Sequence, residues 1–185
     1  MIILNLAIFL ITAVCIFLYS RRSPMHLVLR YFTTLSNIFC AVSSLLVVIF
    51  RLAGNVPQAV LLLKYAGTVS VTVTFLTCMF FLGPFVCGYK VLLTGCELFM
   101  HMICPLLALF TFFAWDKPAA PFSSVLIGML PMVLYAFLYL NRVVLCPEEK
   151  RWPDFYAFNR GGKWPLSFFF MVLGVFLIST VLWAL

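Results

Sequence analysis

Apolar and polar positions along this chain come in long blocks. Apolar runs cover residues 2–19, 31–50, about 65–81, 98–115, 122–140 and 164–185. Between them lie short segments rich in charge, glycine and proline. A helix needs about 20 apolar residues to cross a hydrocarbon core ~30 Å thick. The pattern therefore predicts six membrane-spanning helices. Polar punctuation sets their ends: Arg21, Arg22 and Arg30 after the first, Arg51 and Gly54–Asn55–Val56–Pro57 after the second, Gly83–Pro84 after the third, and Asp116–Lys117–Pro118 after the fourth. The positive charge follows the first run instead of preceding it, so that run reads as a retained helix and not a secretory signal.

Composition agrees and narrows the picture. Of the 185 residues, 65% are apolar and 9% charged, against roughly 45–50% and about 25% in soluble domains. This excludes an ordinary soluble domain and also disorder, which needs low hydrophobicity and high charge. Six spans take about 120 residues and leave roughly 65 for five loops. Residues 1–185 thus read as a single transmembrane domain, an all-α six-helix bundle, with no separate soluble part.

Net charge is +7, from 12 Lys+Arg and 5 Asp+Glu. Its distribution speaks for membrane topology and against a nucleic-acid partner. With six helices both termini share a side. The loops on the other side carry Arg21, Arg22, Arg30, Lys90, Arg142, Lys150, Arg151, Arg160 and Lys163, against Arg51, Lys64 and Lys117 on the side of the termini. Nine against three puts the first group in the cytosol and both termini away from it. In a bacterium the membrane would be the plasma membrane. Trp152 and Trp164 then belong to the cytosolic aromatic belt, and Trp115 and Trp183 to the far one. The loop 141–163, with Pro147, Pro153 and Gly161–Gly162, is long enough to cover the cytosolic mouth of the bundle.

The seven cysteines form no CxxC pair and mostly sit inside apolar runs, where thiols pack as small hydrophobes. No metal site or cofactor is expected. A haem or quinone protein is disfavoured because only His101 lies inside a span, and bis-histidyl haem needs two. No internal repeat points to an inverted-repeat transporter.

Polar residues inside spans carry the candidate chemistry, because lipid-facing polar groups are costly and turn inward. Thr33, Ser36, Asn37, Cys40 and Ser44 recur at steps of three and four, one face of the second helix. Thr34 leads instead to Ile38 and Ala41, an apolar face. The third helix is rich in Thr and Ser from Thr68 to Thr77, a pattern that usually serves backbone bonding and close packing. The fourth opens with Glu97, His101 and Pro105 at four-residue steps. With 1.5 Å of rise per residue, Thr33 and His101 reach similar depths from the cytosolic side. A hydroxyl nucleophile and an imidazole base could meet there, with Asn37 as oxyanion donor, Thr77 in support and Glu97 orienting the ring. Arg151, Arg160 and Lys163 are candidates for holding a substrate carboxylate or lipid headgroup near the pocket mouth.

The segments YFTTLSN at 31–37, TVSVTVTFLT at 68–77, HMICP at 101–105 and DFYAFNRGGKW at 154–164 occur in an order that resembles the androgen-induced gene family of multi-span membrane proteins and its bacterial relatives. The resemblance touches four of the six helices. It implies an intramembrane threonine hydrolase that cleaves fatty acid esters of hydroxy fatty acids, with one Thr and one His. The matching positions are Thr33 and His101. A lipid substrate and an integral-membrane enzyme without cofactor follow as expectations. The alternative is a non-catalytic multi-span protein, a carrier, channel or assembly subunit, whose polar stripes only hold helices together.

Overall fold

The computed structural model describes residues 1–185. It is all-helical, and six helices are long and apolar enough to cross a membrane: α1 (Ile2–Arg22), α2 (Phe32–Leu52), α3 (Gln58–Cys87), α4 (Cys96–Asp116), α5 (Ser124–Leu145) and α6 (Trp164–Ala184). The six blocks of the sequence map onto these six helices, with two boundary corrections. The fifth helix continues to Leu145, so the loop before α6 is shorter than expected. The third starts at Gln58 and runs through Gly83–Pro84 to Cys87.

Both extensions of α3 have physical causes. At its start, Lys64 looks like a loop charge but is completely buried. Its Nζ donates to Asn5 Oδ1 at 2.8 Å and to Ser44 Oγ at 2.7 Å. Asn5 Nδ2 in turn donates to Asp116 Oδ2 at 2.7 Å, and Arg51 pairs with Asp116 Oδ1 at 3.1 Å. Asp116 also leaves its expected place in a loop: it closes α4 as a buried carboxylate. Buried charges persist when they are paired and hydrogen-bonded, and this chain of bonds ties α1, α2, α3 and α4 together at one end of the bundle.

At the other end, Pro84 does not stop α3, because residues 78–87 are wound as a π-helix. In a π-turn each N–H reaches back five residues, so proline, lacking an N–H, orphans the carbonyl of Met79. Tyr89 Oη donates to that carbonyl at 2.8 Å. Gly83 makes the approach possible: a Cβ there would sit 2.5 Å from the Tyr89 ring.

α3 is the hub of the bundle, packing against α2, α4, α5 and α6, while α1 leans on α2 and α4. Its hydroxyls serve its own backbone: Thr68, Ser70, Thr72 and Thr74 donate to carbonyls four residues back. This leaves its sides small enough for close packing, and Gly67 carries that furthest. A Cβ at Gly67 would lie 2.8 Å from Ser43 Oγ and 3.0 Å from Cys40 Cα of α2. On the opposite side Tyr65 Oη contacts Ser179 O at 2.7 Å, and Ser179 Oγ donates to Val125 O at 2.9 Å. One polar chain thus joins α3, α6 and α5. The apolar core around it includes Tyr65, Val69, Phe112, Tyr139 and Val175.

Candidate functional site

The end of the bundle opposite the Lys64 network holds an apolar cavity of about 400 Å³, within the size range of small-molecule and lipid sites. It lies between the start of α2, the second halves of α3 and α5, the start of α6 and the loop before α6. Fifteen of its twenty lining residues are hydrophobic.

The start of α2 is built in an unusual way. Its flanking residue Tyr31 offers no side-chain cap, although the first N–H groups of a helix need partners. The partner comes from far away in sequence: Phe32 N–H donates to Tyr156 Oη at 2.9 Å. Nearby, Tyr135 Oη donates to Arg30 O at 2.7 Å. Tyr156 belongs to a loop folded around Asp154, whose carboxylate accepts the N–H groups of Phe158 and Asn159, both at 2.8 Å, and the Tyr139 hydroxyl at 3.1 Å. The loop thus covers this end of the bundle, and Tyr156, Ala157 and Phe158 form part of the cavity wall. Burial pushes the Tyr156 phenol up to about 12.

Thr33 is the second residue of α2 and lines the cavity, as does Thr77 of α3. Thr34 is buried and lies outside that wall. Asn37 is buried and bridges two helices: Nδ2 donates to Thr33 O at 2.8 Å and to Met100 O at 2.9 Å. Both amide protons are therefore taken, which corrects the expectation of an oxyanion donor there. Asn37 instead fixes the backbone beside Thr33 to the backbone beside His101, so the second and fourth helices are neighbours, as the depth argument requires.

His101 lies in a π-helical stretch, Phe99–Ile103, and is buried. Its Nδ1 is 3.0 Å from Leu92 O and 3.5 Å from Glu97 Oε2. A carbonyl only accepts, so Nδ1 carries a proton, and in the neutral ring the lone pair lies on Nε2. Glu97 stands where expected, but the Leu92 carbonyl gives the shorter contact. His101 makes no hydrogen bond with Thr33 and is not among the residues lining the cavity.

The three basic candidates sit outside the wall. Arg160 and Lys163 are exposed at the loop end that carries Phe158. Arg151 is exposed with Nε bonded to Cys146 O at 2.9 Å. No group of His, Cys, Asp and Glu is arranged to hold a metal ion.

Sequence reasoning missed Tyr156 and the Lys64–Asn5–Asp116 chain. For Tyr156 a signal exists: an α2 start without Ser, Thr, Asp or Asn at its cap requires a donor's partner from elsewhere. For Lys64 the signal is a single charge inside a long apolar stretch, the usual mark of a group facing the bundle interior.

Comparison with known proteins adds no relative: no family model, curated protein or solved structure matches the chain.

Proposed function

We propose that this multi-span membrane protein is a lipid ester hydrolase that uses Thr33 as nucleophile and His101 as general base. The observation that carries the reading is Thr33 in the wall of an apolar cavity of about 400 Å³, its hydroxyl beside the Tyr156 phenol. An acyl chain fills such a space, and the ester carbonyl then lies at the polar end, beside Thr33. The tautomer of His101, protonated on Nδ1, leaves Nε2 free to take a proton. His101 lies outside the cavity lining and is not bonded to Thr33, so in this reading the proton reaches it through intervening water. The Thr33 oxygen bonds to the carbonyl carbon, the ester C–O bond breaks and the alcohol leaves with the proton. Water then cleaves the acyl–threonine. Fatty acid esters of hydroxy fatty acids, suggested by the resemblance to the androgen-induced gene family, suit the cavity. Their free carboxylate suits Arg160 and Lys163 near its rim.

Both termini face away from the cytosol in this reading, and the cavity opens toward the cytosolic leaflet. The charge asymmetry supports this, and the burial of Lys64 strengthens it, since only Arg51 and Lys117 remain opposite the nine.

A second reading, a lipid-binding protein without catalysis, is favoured by one observation: no hydrogen bond links Thr33 to His101. A fluorophosphonate with a long alkyl chain separates the two. Hydrolysis predicts a covalent adduct on Thr33, abolished in Thr33→Ala and suppressed in His101→Ala. Thr33→Ala and His101→Ala should each lose ester hydrolysis, with the double variant no worse than either, since the two act as one unit. Thr34→Ala should keep most activity. Absence of an adduct on the folded wild-type protein supports the second reading.

A further inference from the structure

An ester hydrolase needs a hydrogen-bond donor for the oxyanion that forms as the nucleophile adds. Asn37 cannot be that donor, because both its amide protons go to backbone carbonyls. The hydroxyls around the cavity narrow the choice. The proton of Tyr135 goes to Arg30 O, that of Tyr139 to Asp154 and that of Ser167 to Lys163 O. Thr74 bonds to Ser70 O and to Ser36. Besides Thr33, the hydroxyls of Thr77 and Tyr156 remain, and of these two it is Tyr156 that is held beside Thr33. Its oxygen accepts the Phe32 N–H at 2.9 Å, and no carbonyl or carboxylate takes its proton; its polar neighbours are the hydroxyls of Thr33 and Tyr135. That single bond also fixes where the phenol stands: at the residue before Thr33, with the Thr33 hydroxyl beside it.

We propose that Tyr156 donates a hydrogen bond from its phenol to the ester carbonyl oxygen while Thr33 adds to the carbonyl carbon, the role that spacing assigns to Asn37. This inference rests on the hydrolase reading. As the Thr33 oxygen bonds to carbon, the carbonyl π pair moves onto oxygen and is held by Tyr156 O–H. When that pair returns, the ester C–O bond breaks and the Tyr156 proton stays on the phenol. The start of α2 adds its unpaired amides and the positive end of its dipole to the same region. The loop before α6 is then part of the catalytic centre and not only a cover.

The geometry sets a pH test. Deprotonated Tyr156 would still accept the Phe32 N–H, so a structural cap survives ionisation, whereas a donor does not. Activity therefore falls as pH rises through the phenol's pKa. Burial holds that pKa at about 12, outside the working range. The groups facing Tyr156 are Tyr135 and Tyr139 from α5, Cys78 from α3 and Asp154 on its own loop. Only Tyr156 is altered in the test.

The full-length protein in lipid nanodiscs is assayed with 4-methylumbelliferyl oleate. Tyr156→Phe should lower kcat roughly 100-fold, the loss typical of one oxyanion donor, with KM within about twofold. Should the Phe variant fail to fold, a polyfluorinated tyrosine introduced at position 156 keeps the hydroxyl and its bond to Phe32. It should bring an alkaline loss of activity down into the measurable range. A wild-type protein that forms no Thr33 fluorophosphonate adduct overturns the hydrolase reading. An adduct on wild type, together with unchanged kcat in folded Tyr156→Phe or an unmoved alkaline limb in the fluorinated protein, overturns the Tyr156 role alone.

Discussion

At the scale of single residues, the two ends of the bundle treat polar groups in opposite ways. At one end every partner is a protein atom. Lys64, Asn5, Ser44, Asp116 and Arg51 form a continuous chain of hydrogen bonds, and Asp116 is its only negative charge. At the other end, hydroxyls of Thr33, Thr77 and Tyr156 line an apolar space. The first arrangement suits stability and the second suits a ligand. Removing one partner of a buried pair costs about 3–5 kcal/mol, whereas replacing the whole pair by apolar groups of similar volume is often close to neutral. Asp116→Ala should therefore destabilise the protein by about 3 kcal/mol, since it strands both Arg51 and Asn5. Lys64→Met should cost less, because it leaves Asn5 Oδ1 and Ser44 Oγ without a donor but keeps the Arg51–Asp116 pair. Reversible unfolding in mixed micelles measures both, and equal losses would refute the view that Asp116 organises the network. The sequence made Thr33 legible because step-of-three and step-of-four spacing identifies a helix face, and Thr77 because it reaches the same depth from the opposite direction. It hid the use of each donor. Asn37 lies on the right face, but its protons go to carbonyls that only tertiary structure brings near. Tyr156 stands 124 positions from the N–H it caps, a distance no local pattern encodes.

At the scale of elements, length and hydropathy are enough to count spans, because each span must be apolar over a fixed thickness. They are weaker at marking ends. The Gly83–Pro84 pair reads as a stop, yet α3 continues because π-winding changes which carbonyl loses its donor, and Tyr89 replaces that donor. This account predicts a specific coupling. Tyr89→Phe leaves the Met79 carbonyl unpaired and should cost about 1 kcal/mol, visible as faster amide exchange across residues 78–87. In a Pro84→Ala background the restored N–H can close on Met79, so the same Tyr89→Phe change should cost little. A double-mutant cycle without coupling would mean that Tyr89 serves some other purpose. The same segment supplies Cys78, Phe81 and Leu82 to the cavity wall, so the irregular turn of α3 shapes the site and is more than a frayed end.

At the scale of the whole molecule, the polarity of the bundle and the polarity of the membrane have to agree. The cavity end carries nine Lys and Arg residues, in its three loops and the helix ends that flank them. The network end carries both termini and, outside the buried Lys64, only Arg51 and Lys117. Arg51 is further offset by its pair with Asp116. Basic loop residues resist translocation, and acidic ones contribute little to orientation, so the cavity end should stay in the cytosol. Arg30 and Arg142 also stack on Trp152, at 5.5 Å and 5.8 Å from its ring centre. That stacking gives the loop before α6 a cationic, aromatic underside of the kind that sits at a headgroup boundary. An alkaline phosphatase reporter, active only outside the cytosol, should therefore be active when fused after Leu185 and inactive when inserted at Gly161. Single cysteines in a cysteine-free background should report the same sides to an impermeant maleimide. The reverse pattern would turn Thr33, Tyr156 and the cavity toward the outer leaflet. A substrate drawn from cytosolic lipid metabolism could then not reach them, and the source of the ester would have to be sought outside the cell.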